Sequence, residues 1–182
     1  ESIQMAARSL RYEWFQELAT TFQYDYILTA HHTDDALETF LINLSRGTGI
    51  DGLTGIPEKN GNIVRPLLPF TRSELKTYAE NNKITWREDS SNAATKYIRN
   101  KIRHDIVPLL KELHPAFTEN FQTTQTHLQE SKLMINNSVE KLRKKVIKET
   151  ADGTLSINIK KIQESAHPKA YLFELLRSYG FT

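Results

Sequence analysis

The chain has 182 residues, of which 38% are hydrophobic and 25% charged, with a formal net charge of +2. That is enough for one ordinary domain, or a domain and a small companion, and it excludes a disordered chain. No apolar run approaches the roughly 20 residues a membrane helix needs, no signal-peptide pattern is visible, and the absence of cysteine excludes disulfides and thiolate chemistry within this stretch.

The cytoplasm is therefore the expected compartment. The chain opens on Glu1, already inside a helical pattern, so it reads as a fragment with residues missing upstream. Ile3, Ala6, Ala7, Leu10, Trp14, Leu18 and Phe22 recur every three to four residues and predict an amphipathic helix over 3–22. Tyr26–Ala30 reads as a short buried strand. Thr33 is placed to cap a helix running to about Arg46, with Leu37, Phe40, Leu41 and Leu44 on its apolar side. Gly47, Gly49, Gly52 and Gly55 then break regularity, and Asn60-Gly61-Asn62 marks a turn before a strand over 63–67. Thr71 and Glu74 form a capping box for a helix to about Asn81. A strand over 84–86 and a helix over 95–110, with Ile98, Ile102, Ile106 and Leu109 on one face, follow. This alternation of helix and strand is the α/β pattern.

The pattern changes at His114-Pro115, where a domain boundary is expected. Residues 117–149 read as one long helix, 155–159 as a strand, and 168–179 as a final helix ended by Gly180. The second part is thus mainly helical.

The densest chemistry lies at His31-His32-Thr33-Asp34-Asp35-Ala36-Leu37-Glu38-Thr39. It follows a strand and opens a helix, where open α/β sheets hold their ligands. Asp34 and Glu38 stand at i and i+4, and Asp35 and Glu38 at i and i+3, so each pair shares a face. Such carboxylates suit Mg²⁺, which takes one or two together with phosphate oxygens and water. The histidines can neutralise phosphate. A purely structural role, favouring a helix N-terminus, explains a lone Asp but not the whole run.

Further motifs extend the set. Arg46-Gly47-Thr48-Gly49 offers backbone amides to a phosphate, or is only a loop with Gly47 as helix cap. Arg65, before Pro66-Leu67-Leu68, can meet an anion or form a structural ion pair. Lys96, Arg99, Asn100 and Arg103 share one helix face, a platform for phosphate or a solvated surface. Asp89 and Asn92 can cap that helix or hold a cationic substrate. Lys141, Arg143, Lys144, Lys145 and Lys148 complement a helix dipole or touch an RNA backbone.

Together these motifs, with Ala7-Arg8-Ser9-Leu10-Arg11-Tyr12, resemble the tRNA(Ile)-lysidine synthase family, firmly over residues 1 to about 112. The resemblance implies a Rossmann-like parallel sheet of an N-type ATP pyrophosphatase domain over 1–113, incomplete at its start, and a helical tRNA-binding domain over 114–182. It implies that ATP adenylates the C2 oxygen of the wobble cytidine in a tRNA(Ile) with a CAU anticodon. The amine of free L-lysine then displaces AMP. Carried over, His31, His32, Asp34, Asp35 and Glu38 form the catalytic ATP/Mg²⁺ site, with Asp34, Asp35 and Glu38 as metal ligands. Gly47, Gly49 and Arg65 shape it. Arg8, Arg11, Asp89, Asn92, Arg99, Asn100 and Arg103 meet tRNA or substrate. A homodimer is an allowed assembly.

The sequence departs from the pattern in two places. The family's Ser-Gly-Gly-x-Asp-Ser phosphate loop is not found in it and is expected upstream of Glu1, and Ala36 stands where Gln is usual. Residues 1–182 alone are therefore expected not to modify tRNA; lysidine formed by them alone would overturn this. The competing readings are a metal-dependent phosphohydrolase, a tRNA thiolation enzyme of the same ATPase fold, and a non-catalytic RNA-binding module.

Overall fold

A computed structural model of the chain describes residues 3–87, 98–150, 153–177 and 179–181. Asp89, Asn92, Lys96 and the expected start of the helix at Thr95 lie outside the described residues. The chain divides into two compact units, Glu1–Gln125 and Thr126–Thr182.

The first unit opens with helix α1 (Ile3–Thr21), followed by strand β1 (Ile27–Leu28) and helix α2 (Thr33–Ser45). A short helix α3 (Ile50–Leu53) leads to strands β2 (Lys59–Asn60) and β3 (Ile63–Val64) and helix α4 (Arg72–Asn81). The strands form one mixed sheet in the order β1-β3-β2. β1 and β3 are parallel, with Ile27 opposite Ile63 and Leu28 opposite Val64; β2 is antiparallel to β3. Gly61, at φ +60°, turns the β2–β3 hairpin. Both strands of the parallel pair are shorter than expected, and residues 84–86 form no strand.

Two N-termini show how local chemistry sets the helices. Thr71 caps α4: its hydroxyl accepts from the Glu74 amide, and Glu74 reaches back to the Thr71 amide at 2.7 Å. Those bonds hold the Glu74 carboxyl below the usual carboxylate range. Thr71→Ala is expected to cost about 1 kcal/mol, read from urea unfolding; a loss below about 0.3 kcal/mol would show that the box does not operate. At α2 the cap is His32, not Thr33 as expected. Asp35 reaches back to the His32 amide at 3.1 Å, while the Thr33 hydroxyl turns away to donate to the Leu68 carbonyl at 2.9 Å.

The next helical stretch has three parts: α5 (Ile98–Lys101), a π-helical turn (Ile102–Ile106) and α6 (Val107–Leu113). The Val107 amide donates to the Ile102 carbonyl, five residues back. Pro108 has no N–H to return to His104, and the widened turn accommodates that loss. Ile102 is buried, but Ile98, Ile106 and Leu109 stay exposed, so the expected apolar face is only partly covered. The same holds for Leu10 and Trp14 on α1.

The core of this unit gathers Ala36, Leu37 and Ile42 from α2, with Ile102, Val107 and Phe121. Phe121 belongs to α7 (Phe117–Val146), and its ring packs edge-on against Phe40 with centroids 5.5 Å apart. The expected boundary at residue 114 thus falls before side chains that pack into the first unit, and the division itself falls inside α7.

The second unit holds an antiparallel pair, β4 (Ile147–Glu149) and β5 (Leu155–Ile157), and helices α8 (Ile159–Gln163) and α9 (Pro168–Arg177). Residues 147–149, expected at the end of the long helix, are strand, because they pair with β5. Val146, Ile162 and Leu175 form its core, packed by Val139, Leu142 and Tyr171. Among the described residues no helix is long and apolar enough to cross a membrane.

Candidate functional site

The parallel pair fixes the site's position. β1 and β3 run in the same direction, so their carboxyl ends lie side by side, where open α/β sheets take ligands. From β1 the chain passes through Thr29 to His31 and into α2. From β3 it passes to Arg65.

His31 and His32 have different surroundings. The Thr29 hydroxyl and His31 Nδ1 are hydrogen-bonded at 2.9 Å. Burial first, and then the fields of Arg65, Arg8 and Arg99, hold the His31 pKa below its ordinary value against the opposing pull of Asp35. His32 lies against the acids: Nδ1 is 3.7 Å from Asp34 Oδ2, and Nε2 is 3.5 Å from Asp35 Oδ2. Its Nδ1 is buried without a hydrogen-bond partner.

Glu38 is 1% exposed, one turn into α2. Both its oxygens accept from Arg103, from Nε at 2.6 Å and Nη2 at 3.0 Å. Arg103 Nη2 is also 3.8 Å from Asp35, and Arg99 Nε is 3.6 Å from Glu38. Burial pushes the Glu38 carboxyl above its usual range while Arg103 pulls it back; the Glu38 hydrogen bond in turn raises Arg103. Arg99 and Arg103 do share the predicted face, but that face looks at α2. The expected open platform is therefore largely closed by carboxylates, and Asn100 is buried.

The acids differ in what they can still hold. Glu38 is occupied by Arg103, so it does not fit as a metal ligand. Asp34 Oδ2 accepts from the Arg72 amide at 2.8 Å and Oδ1 is 3.6 Å from Lys111. Asp34 and Asp35 remain about one-fifth exposed, with carboxylate lone pairs beyond these bonds. No cluster of three His, Cys, Asp or Glu suited to a metal occurs among the described residues. A Mg²⁺ ion that relies on one or two carboxylates and phosphate oxygens fits Asp34 and Asp35; a three-carboxylate cage does not.

Arg65 is the opposite case. It is 5% exposed, and its Nη1 donates to the Pro57 carbonyl at 2.6 Å. Its Nε is buried without a partner, and among the described residues no carboxylate pairs with it. A buried guanidinium without an anion is costly unless a ligand supplies one.

Recesses flank this cluster. One, of about 410 Å³, is lined by Arg8, Arg11, Tyr12, His31, Asp35 and Arg99, among others. Another, of about 210 Å³, is lined by His32, Asp34, Glu38, Arg72, Arg103 and Lys111. A larger open trough of about 860 Å³ runs along Ser9–Thr21 and holds none of the His31–Glu38 cluster.

The structure thus brings His31, His32, Asp34, Asp35, Glu38, Arg99 and Arg103 together, with Arg8 and Arg11 at the rim of one recess. Gly47 and Gly49 lie past the far end of α2, whose 13 residues span about 20 Å. Gly47, at φ +72°, ends α2, and Gly49 caps α3; a side chain at either would meet open space. In the second unit Lys141, Lys144, Lys145 and Lys148 are exposed, while Arg143 donates to the Tyr179 hydroxyl at 2.9 Å. Sequence reasoning missed Arg72, which contributes a backbone amide, and Lys111, which follows Pro108 on α6 beyond the expected platform.

Comparison with known proteins gives this geometry a family. A profile of the PP-loop domain matches residues 1–110, and one of the TilS substrate binding domain matches residues 149–182. The chain is 45% identical over 181 residues to the tRNA(Ile)-lysidine synthase of Porphyromonas gingivalis W83, covering 99% of the chain and 39% of that relative. It is 40% identical over 180 residues to the protein of that name from Bacteroides thetaiotaomicron, covering 99% and 41%. With the Chlorobaculum tepidum protein of the same name it shares 48% over 112 residues, covering 62% and 34%. The chain spans about two-fifths of the length of the first two relatives. With residues 1–110 matched by its profile, the chain belongs to the PP-loop domain family, beside relatives named tRNA(Ile)-lysidine synthase.

Proposed function

We propose that this chain is part of a ligase that joins free L-lysine to C2 of the wobble cytidine in a tRNA(Ile) with a CAU anticodon. The C2 oxygen attacks the α-phosphorus of ATP and pyrophosphate leaves. The lysine amine then attacks C2, the C2–O bond breaks, and AMP departs with the oxygen while the amine loses a proton. The observation that carries this reading is the junction of the parallel strands: β1 delivers His31 and the acids, and β3 delivers Arg65, a buried cation with an unpartnered Nε and no carboxylate partner among the described residues. The names of the relatives supply the substrate.

The mixed sheet is read as part of a Rossmann-like sheet, residues 1–113 as adenylating domain and 114–182 as substrate domain. In this reading Arg65 accepts a phosphate as its missing anion. A neutral His31, oriented by Thr29, donates to a phosphate oxygen without carrying a proton into the reaction. Mg²⁺, when bound through Asp34 and Asp35, would offset charge developing on pyrophosphate. Glu38 holds Arg103 toward the acids rather than binding metal. Arg8, Arg11 and Arg99, around the His31 recess, face the RNA backbone or the nucleotide. Asp89 and Asn92 contribute to substrate binding, the buried Asn100 supports the Arg99–Arg103 face from within, and Gly47 and Gly49 set the loop after α2 from a distance.

The test is AMP release by the protein that carries this chain, with nucleoside analysis of the tRNA. Expected are AMP formation dependent on both tRNA and lysine, and lysidine at the wobble position. ATP turnover indifferent to tRNA would favour a phosphohydrolase; sulfur incorporation would favour thiolation; RNA binding unaffected by ATP would favour a non-catalytic module. Each of those results overturns the proposal.

A further inference from the structure

We propose that Gln122 is a positioning residue, which holds the His32–Asp35 start of α2 in place from the first turns of α7. The proposal rests on the reading of that start as part of the nucleotide site. Thr33 is 2% exposed and carries several bonds at once. Its amide donates to the Phe70 carbonyl at 2.9 Å and its hydroxyl to the Leu68 carbonyl at 2.9 Å. The Gln122 Nε2 donates back to that hydroxyl at 3.0 Å and to the Pro69 carbonyl at 2.9 Å.

The amide of Gln122 therefore bridges α2 to the Leu68–Phe70 segment, which leads directly into α4. The first residue of α4, Arg72, in turn donates its amide to Asp34 at 2.8 Å. A Thr33 hydroxyl has one proton, which goes to Leu68, so its lone pairs need a donor; Gln122 supplies it. Phe121 is anchored in the core beside it, which fixes the helix face that Gln122 projects from. Gln125 lies one turn on and donates to the Leu53 carbonyl at 2.8 Å instead. It gives a control: the same residue type and a similar bond, but aimed at α3 and not at the acids.

The experiment compares Gln122→Met, Gln125→Met, Thr33→Val and Thr33→Ser in the protein that carries this chain. The readouts are AMP-forming turnover, KM for ATP, and the imidazole resonances of His32. Gln122→Met is expected to lower turnover at least tenfold with KM within about twofold, and to shift the His32 ring signals. Thr33→Val is expected to do the same and Thr33→Ser, which restores the hydroxyl, to behave as wild type. Gln125→Met is expected to leave His32 unshifted. If Gln122→Met does not fold, Gln122→Asn, which keeps the amide but shortens its reach, is read in its place with the same expectation. Unshifted His32 signals in the Gln122 variant, or a Thr33→Ser as impaired as Thr33→Val, overturns the proposal. A wild-type protein that forms no AMP overturns the functional reading alone; the His32 signals then decide this proposal separately.

Discussion

Arg103→Met is expected to destabilise the protein by about 3 kcal/mol near neutral pH, because it strands a buried charge. Glu38 is nearly inaccessible, and both its oxygens accept from this one guanidinium. Arg99 stands 3.6 Å away with a half-exposed side chain and cannot replace a two-point contact. Methionine keeps much of the volume, so the loss isolates the charge rather than a cavity. The pH dependence gives the prediction its sign. Burial already raises the Glu38 carboxyl, and removing Arg103 raises it further. A carboxyl whose folded value exceeds its unfolded one imposes no cost below about pH 4, a growing cost as pH rises, and the full cost above the folded value. Urea unfolding at pH 5 and pH 8 should therefore show a larger loss at pH 8. Adding Glu38→Gln to Arg103→Met should recover part of it and flatten the difference. A loss under about 1 kcal/mol, or one equal at both pH values, would show that the pair does not act as described.

This pair also shows what could and could not be read from the sequence. Spacing places Asp34, Asp35 and Glu38 on one helix and Arg99 and Arg103 on another; the first forms, and the second is described from Ile98 on, with Arg99 in α5 and Arg103 in the π-helical turn. Periodicity describes one element at a time, however, and cannot say which polar face meets which. The arginine face looked ready for phosphate because its counter-charges lie some 65 positions earlier in the chain. The capping box at Thr71 and Glu74 was legible because it is local. The cap at His32 is not legible in the local sequence, because Thr33 is drawn off by Leu68 and Gln122, which are remote in sequence. The π-helical turn was not anticipated, although Pro108 signals it: a proline within a helical pattern must leave a carbonyl behind it without its usual partner. Periodicity marks the apolar stripes of α1 and of residues 98–109, but it cannot say how much of each is covered: Leu10, Trp14, Ile98, Ile106 and Leu109 stay exposed. Gln122 looked like any polar residue on an amphipathic helix.

Arg65→Met is expected to have the reverse sign for stability and the larger effect on binding. The guanidinium is buried with an unpartnered Nε and no carboxylate partner among the described residues. Replacing an uncompensated buried charge by an apolar side chain of similar length is neutral or stabilising by about 1 kcal/mol. The hydrogen bond lost is to the Pro57 carbonyl, and Pro57 is exposed, so water can take the donor's place there. The same replacement removes the cation proposed to meet a phosphate. One charge-assisted hydrogen bond is worth about 1.5–3 kcal/mol, so ATP affinity should fall roughly 10- to 100-fold. Arg65→Lys keeps a charge but loses the planar fork and should fall between wild type and Arg65→Met. Urea unfolding without nucleotide, paired with ATP titration, measures both signs on one preparation. The two arginines then separate cleanly: loss of stability marks Arg103 as paired within the protein, while loss of affinity without loss of stability marks Arg65 as waiting for a ligand. If Arg65→Met lost more than about 2 kcal/mol and bound ATP unchanged, Arg65 would be a structural residue and the anion site would lie elsewhere.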